Sequence, residues 1–460
     1  MIPDKVEDRG TTNASDVEGL LAKAQQPSTD ALRLHPFYQG KIETVPKVCI
    51  RSLDDFAIWY TPGVAAACRA IEQDPELVYD YTNKWNTVAI ISDGTRILGL
   101  GDIGPKAGLP VMEGKALLFK WLGGVDSVPI MLDTKDPDEI VRTVLALQPG
   151  FGGVNLEDIA QPKCFRILDT LREKAEIPIW HDDQQGTACV TLAGLLNSLR
   201  IVGKRIDEVR VAFVGAGAAN VAISRLCFKA GISPARAMMV DSRGILHRDR
   251  QDLRQRRAEF VDKWRLCQTT NAEGREGGIA EALAGADVCI AVAKPGPGTI
   301  RPDWISAMAN DAIVFACANP VPEIWPWEAE AAGARIVATG RSDFPNQVNN
   351  SLGFPGIFRG ALDVRARTIT DEMCIAAAEA LAAAAPDGGL DPKCILPTMV
   401  EAEVFAREAV AVGMKAQQQG VARLQLSPEE LFRQATRMIS RSRRLTEVMM
   451  AEGLIAEPPE

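Results

Sequence analysis

From about residue 140 onward, short apolar runs alternate with segments whose apolar residues recur at helical spacing: "DEIVRTVLALQ", "GGVNLEDI", "KCFRILDTLREKA", "IPIW" and "TACVTLAGLLNSLRIVG". Such alternation constrains the fold strongly, because a chain that passes strand, helix, strand builds a parallel sheet covered by helices. A second run starts at "VRVAFVGAGAANVAISRLCFKAG" and continues through "ARAMMVDSRG", "ADVCIAVA", "AIVFACANP" and "ARIVATGRS". It reads as a separate doubly wound α/β domain of roughly 160 residues. Ahead of both runs, "TVAIISDGTRILGLGDIG" reads as a β-hairpin turning at Asp93-Gly94, followed by a helix at "VMEGKALLFKWLGG" and a strand at "VPIMLDT". The fold class is therefore α/β, with an N-terminal α/β domain at 29–195, a Rossmann-like domain at 196–366 and a helical C-terminal segment at 367–460. Residues 1–28 are polar and aperiodic, and are expected to be a loosely ordered lead-in.

In the tail, Ser427 is a candidate helix N-cap, Pro428 fits the first turn and Glu430 completes a capping box. Leu431, Ala435, Met438, Ile439, Leu445 and Met449 then form an apolar stripe. Packing on the chain's own domain is the expectation, with a subunit contact as the alternative.

Charge and composition exclude several classes of function. Of 460 residues, 60 are acidic and 51 basic, a net charge of −9 with no basic block. Nothing there attracts nucleic acid or an anionic membrane, so a small molecule is the expected partner. The 10 cysteines are scattered without a C-x-x-C pair, which points to a reducing compartment. "MIPDKVEDRGTTNASD" has no apolar core for export, and "CIAAAEALAAAA" is too short to span a bilayer and carries Glu379. The protein is read as cytoplasmic.

Two motifs carry chemistry. In "VAFVGAGAAN" a strand enters Gly215-Ala216-Gly217 and a helix begins at Ala218, Ala219 and Asn220, a turn that lets a pyrophosphate approach the helix N-terminus. Asp241 follows about twenty-five residues on, placed to hold a ribose hydroxyl. Asn220 departs from the pattern, because Gly or Ala usually stands there to permit close packing. The other motif is a pair of acidic doublets, Glu157-Asp158 and Asp182-Asp183, each after an apolar strand. Converging carboxylates without His or Cys suit Mg²⁺ or Mn²⁺. Spacing alone favours this no more than a helix cap at Asp183 and solvated loop charges at the other pair.

Those residues also carry a family likeness. "WYTPGVA", "SDGTRILGLGDIGPKAGLPVMEGKALLFK", "FGGVNLEDI", "HDDQQGTA", "VGAGAAN", "FACANP" and "ATGRSDFPNQVNNSLGFPGIFRGALD" together resemble malic enzyme of the small prokaryotic type, in order from about residue 38 to 366. "ILP" at 395–397 is similar to the family's C-terminal extension. The resemblance implies oxidative decarboxylation of (S)-malate to pyruvate and CO₂ with NAD⁺ or NADP⁺ and Mg²⁺ or Mn²⁺, in a homodimer or larger homo-oligomer. It implies Tyr60 as general acid, Lys115 as base and Asp182 as the residue that orients the lysine. Glu157, Asp158 and Asp183 match the metal ligands, and Arg96, Asn319 and Asn350 match groups that hold the substrate and the nicotinamide end. Asp182 would raise the Lys115 pKa while burial and a cation would lower it. Malolactic turnover to lactate with retained NAD is the rival chemistry, and an inactive nucleotide-sensing protein the rival class. Around Asp241 the signals conflict. The acid favours NAD⁺, whereas Ser242 and Arg243 could grip a 2′-phosphate, and the reading leans to NADP⁺.

Overall fold

The computed structural model describes residues 14–384 and 389–459. A helix, α1, runs from Ala14 to Tyr38. It occupies the second half of the expected loose lead-in, whose residues 1–13 lie outside the described residues. Ala, Leu, Glu and Lys dominate its first turns, and their helix propensity outweighs the polar composition on which the expectation rested.

The N-terminal domain is built on a four-stranded parallel sheet in the order β2-β1-β3-β4. Its strands are β1 (Thr87–Ser92), β2 (Asp126–Met131), β3 (Gly153–Leu156) and β4 (Ile179–His181). The crossovers are α2 (Pro105–Gly123), α3 (Pro137–Leu147) and α4 (Lys163–Lys174). The hairpin expected at Asp93-Gly94 does not form. β1 is flanked on both edges by parallel partners, β2 and β3, so no edge is left for an antiparallel return. The Asp93 side chain is used otherwise: it accepts from the Thr95 amide and hydroxyl and pairs with Lys163.

After β4 the chain makes one turn of π-helix, Asp182–Gly186, and enters α5 (Thr187–Val202). The expected domain boundary at 195–196 falls inside that helix, which is largely buried. The second sheet has six strands in the order β10-β9-β8-β5-β6-β7. They are β5 (Val211–Val214), β6 (Ala237–Asp241), β7 (Gly244–Ile245), β8 (Val288–Ala291), β9 (Ala312–Ala316) and β10 (Ala334–Thr339). All pairs are parallel except the short β6–β7 hairpin. The chain order reverses at β5, where α6 (Ala218–Lys229) begins, and a crevice at such a reversal is where doubly wound sheets bind ligands.

Four helices close the molecule: α7 (Phe354–Asp363), α8 (Asp371–Ala383), α9 (Ala402–Gln418) and α10 (Pro428–Ala451). The Ser427 cap is present, with the Glu430 amide donating to Oγ at 3.2 Å and the Ser427 amide to the Glu430 carboxylate at 2.8 Å. Leu431, Ala435 and Ile439 are buried, and the Ser442 hydroxyl donates to the Lys120 carbonyl at 2.7 Å, so α10 folds back onto the N-terminal domain. No helix of the described residues is long and apolar enough to cross a membrane, and all ten cysteines are free thiols.

Candidate active site

Parallel strands aim their C-terminal ends one way, so the segments after β1, β3 and β4 meet at one rim of the first sheet. Lys115 comes to that rim from α2 and is 8% exposed. Its Nζ donates to Asp182 Oδ2 at 2.6 Å and lies 3.1 Å from Glu157 Oε1. The Phe354 ring, at the start of α7, covers the ammonium at 4.4 Å. Burial pulls the Lys115 pKa down, but the charges of Asp182 and Glu157 outweigh it and hold the group above its ordinary value. Among the protein's own groups, the carboxylates of Asp182 and Glu157 thus win over burial at Lys115.

The acidic doublets converge here. Asp183 Oδ2 accepts the Asp158 amide at 2.8 Å, rather than capping α5. Asp158 has φ 54°, a left-handed conformation unusual for a residue with a side chain, and such strain concentrates at functional sites. That conformation turns its carbonyl to the Arg96 amide and its Oδ1 to the Leu98 amide, while Oδ2 is buried without a partner. Burial, then the Asp183 charge, push the Asp158 carboxyl up to about 8, and burial also raises Glu157 and Asp182. Carboxylates crowded this way, with an orphaned oxygen, fit a hard cation. Among the described residues, however, no three acidic, His or Cys side chains stand close enough to hold a metal as they are placed. Glu157 faces Lys115 and the Asn155 amide, at 2.8 Å, instead. His181 is fully buried, and burial keeps it neutral.

Two residues that sequence reading missed hold this cluster: Asn155, and Trp180, whose Nε1 donates to Asp182 Oδ1 at 3.0 Å. Each stands on a strand two positions before the acid that follows it, and that spacing was the available signal. Gly186 is required for a related reason, since a Cβ there would collide with Asp182 Oδ1 and crowd Asn350 Cβ at 3.3 Å. Asn350 is thereby placed beside the lysine's partner. Lys120 is elsewhere, paired with Asp126 at 2.6 Å.

The second domain carries its own candidate ligand-binding features and meets the first near the loop after β1. The Asn319 carbonyl approaches the loop after β1, lying 2.9 Å from where a Cβ on Gly99 would be. Gly215 has φ 99°, and a Cβ there would come within 2.6 Å of the Val292 carbonyl, so only glycine fits the turn. Gly217 precedes α6 without a side-chain cap, which leaves amides at Ala218 and Ala219 for an anion. Asn220 is fully buried and ties the turn from below, donating to the carbonyls of Val214 at 2.8 Å and Gly215 at 2.9 Å. Its departure from Gly or Ala is a hydrogen-bonded substitute for close packing.

Around Asp241, a cavity of about 570 Å³ is lined by Asp241, Ser242, Arg243, His247, Arg250 and Gly277. Arg250, also missed, grips both Asp241 oxygens, at 3.1 and 3.0 Å. Nothing in local sequence marks that pair, nine residues apart. Arg243 is exposed and reaches only Asp252, at 3.3 Å, among the described residues.

Tyr60 is not in the cluster. It is 73% exposed, between short helices at Asp55–Trp59 and Val64–Gln73, and its hydroxyl has no partner among the described residues. Arg96 is exposed at the rim.

A buried lysine among acids at the rim of one sheet, with a glycine turn and helix N-terminus on the other, is the combination expected of a dinucleotide-dependent enzyme with acid–base chemistry. Comparison with known proteins makes this specific. Residues 39–172 match the malic enzyme N-terminal domain and residues 184–417 the malic enzyme NAD binding domain. The bifunctional malic/malolactic enzyme of Bacillus subtilis is 48% identical over 406 residues, covering 87% of this chain and 96% of its own. The NAD-dependent malic enzyme of Geobacillus stearothermophilus is 49% identical (84% and 78% covered), and the NADP-dependent malic enzyme of Halomonas elongata 44% (80% and 88%). The crystal structure of Entamoeba histolytica malic enzyme superimposes with a TM-score of 0.93 at 47% identity, covering 98% of this chain and 93% of that one. The chain belongs to the malic enzyme family.

Proposed function

We infer that this malic enzyme oxidises (S)-malate at C2 and decarboxylates the product to pyruvate and CO₂, reducing NAD(P)⁺, with Lys115 as the base. The observation that carries this reading is the buried contact of Lys115 with Asp182 and Glu157, at the rim that faces Asn319. While both carboxylates hold it, Lys115 favours its charged form, which cannot take the C2 hydroxyl proton. It becomes a base when one of its two carboxylate partners is drawn away, and Glu157 is the one with a second task. Glu157, Asp158 and Asp183 are the residues that would hold Mg²⁺ or Mn²⁺, which when bound supplies Lewis-acid polarisation of the substrate's oxygens. Asp182, fixed by Trp180, keeps the lysine oriented toward C2. Arg96, Asn319 and Asn350 hold the substrate carboxylates and the nicotinamide end.

Tyr60 donates the final proton to C3, and a second copy of the chain brings it to the site. Support comes from its exposure within an apolar arm that includes Leu53, Ile58 and Trp59. Such an arm is a surface that a monomer rarely leaves open. The assembly proposed is therefore a homodimer or a multiple of it, in the cytoplasm. NADP⁺ is the preferred cofactor, because Arg250 already neutralises Asp241, and Arg243, held among the described residues only by its single contact with Asp252 at 3.3 Å, can turn to meet a 2′-phosphate.

The test is malate-dependent reduction of NAD⁺ and NADP⁺, with and without Mg²⁺ or Mn²⁺, with the product identified. Pyruvate with stoichiometric NAD(P)H is expected, and activity should vanish on exhaustive chelation. Lactate without net NAD(P)H would mean malolactic turnover, and full activity after chelation would remove the metal assignment.

A further inference from the structure

Glu323 has no exposed surface, and no cationic side chain pairs with it among the described residues. Its Oε1 accepts the Ala293 amide at 2.7 Å and its Oε2 accepts the Ala318 amide at 3.1 Å. Those amides belong to the loops that leave the C-terminal ends of β8 and β9, neighbouring strands in register at Ala291 and Ala316. The main chain repeats the tie: the Glu323 carbonyl accepts the Ile300 amide at 3.1 Å, and the Val321 carbonyl accepts the Gly296 amide at 3.2 Å. One of the tied loops carries Asn319. The other begins at Val292, whose carbonyl packs on the Gly215 turn.

Two backbone donors aimed at one dry spot need an acceptor-only group with two oxygens, and an ionised carboxylate is the side chain that provides it. Burying a carboxylate without a cation is costly, so it persists only where its hydrogen bonds replace water. Here they join the wall beside the dinucleotide turn to the loop that reaches the other domain.

We propose that Glu323 is a positioning residue for the reaction: its carboxylate locks the β8 and β9 loops together, so that Asn319 meets the substrate while Val292–Ala293 walls the nicotinamide end of the cofactor. The proposal rests on the assignment of Asn319 to the substrate.

Glu323→Gln keeps the shape but turns an NH₂ group toward one of the two amides. It should lower kcat/KM for malate by on the order of ten- to a hundredfold, the scale expected when a positioning group shifts by about an ångström. Affinity for AMP, a probe of the adenosine end near Asp241, should be unchanged by calorimetry. Glu323→Asp keeps the charge but is too short to reach both amides, so it should not rescue malate turnover; it carries the same readouts should the Gln variant fail to fold. Wild-type kcat and KM for malate in Glu323→Gln would overturn the proposal, and so would an equal loss of AMP affinity, which would mark general loosening. Asn319→Ala, assayed alongside, separates the two claims. If it leaves malate kinetics untouched, the Asn319 assignment is wrong; if it impairs them while Glu323→Gln does not, the clamp alone is wrong.

Discussion

Lys115 shows how much a single side chain depends on its company. Removing it takes away the proposed base and strands Asp182 and Glu157 without their shared cation, so Lys115→Ala should lower kcat by ~10²–10⁴ while cofactor binding persists. Steady-state rates beside NAD(P)H titration check both parts. Arg250 and Arg243 are the residues proposed to divide a second task, the choice of cofactor. Arg243→Ala should raise KM for NADP⁺ by roughly tenfold, because a charge-assisted contact is worth about 1.5–3 kcal/mol, and should leave NAD⁺ nearly unaffected. Arg250→Ala frees the Asp241 carboxylate, which repels a 2′-phosphate but accepts from a ribose hydroxyl. It should therefore raise KM for NADP⁺ and spare or improve KM for NAD⁺. Equal changes for both cofactors in either variant would place the selection elsewhere.

At the scale of elements, the π-turn between β4 and α5 lets one short strand deliver Asp182 to the lysine and Asp183 to the Asp158 loop. An ordinary helical start would swing one of them away, and the wide turn is tolerated because Gly186 leaves room for Asp182. Helices α7 and α9 meet around Glu408, whose buried carboxylate oxygens have no partner in the described residues and whose Oε2 fills the space beside Gly356. Burial raises its pKa well above the ordinary value. A folded pKa above the unfolded one means that the folded state holds the proton more tightly. Stability is then fully present below the unfolded value of about 4.3 and is lost progressively as pH rises toward the folded value. Glu408→Gln, which cannot ionise, should melt higher than the parent above about pH 5, with a gap that widens with pH. Thermal melts from pH 5 to 8 check this, and a constant or inverted gap would refute it.

For the whole molecule, the proposed role of Tyr60, 73% exposed and away from the rim that carries Lys115, requires a second copy of the chain to deliver it. If a second copy supplies it, inactive Tyr60→Phe and Lys115→Ala chains should regain activity when unfolded and refolded together. One of the two sites in a mixed dimer would then hold both native residues. Sedimentation should show a dimer, and mixtures no more active than either parent would rule out delivery by the second copy.

The alternation of apolar runs and helical segments was enough, by itself, to specify two largely parallel sheets covered by helices, and the strand-to-glycine junction at Val214–Gly217 was enough to specify the turn that opens α6. Both are local patterns, written in residues close along the chain. So were the capping box at Ser427 and the two acidic doublets. The hairpin expected at Asp93-Gly94 failed because strand pairing is decided by which neighbours arrive, and β2 and β3 arrived on both edges. The same limit hid Arg250 and Glu323, whose partners lie across loops or strands. It also left open the protonation of Lys115, since burial and two carboxylates from different strands act on it with opposite signs. Local sequence fixes which groups are present at each strand end; the distances that set their charge exist only once the sheets are assembled.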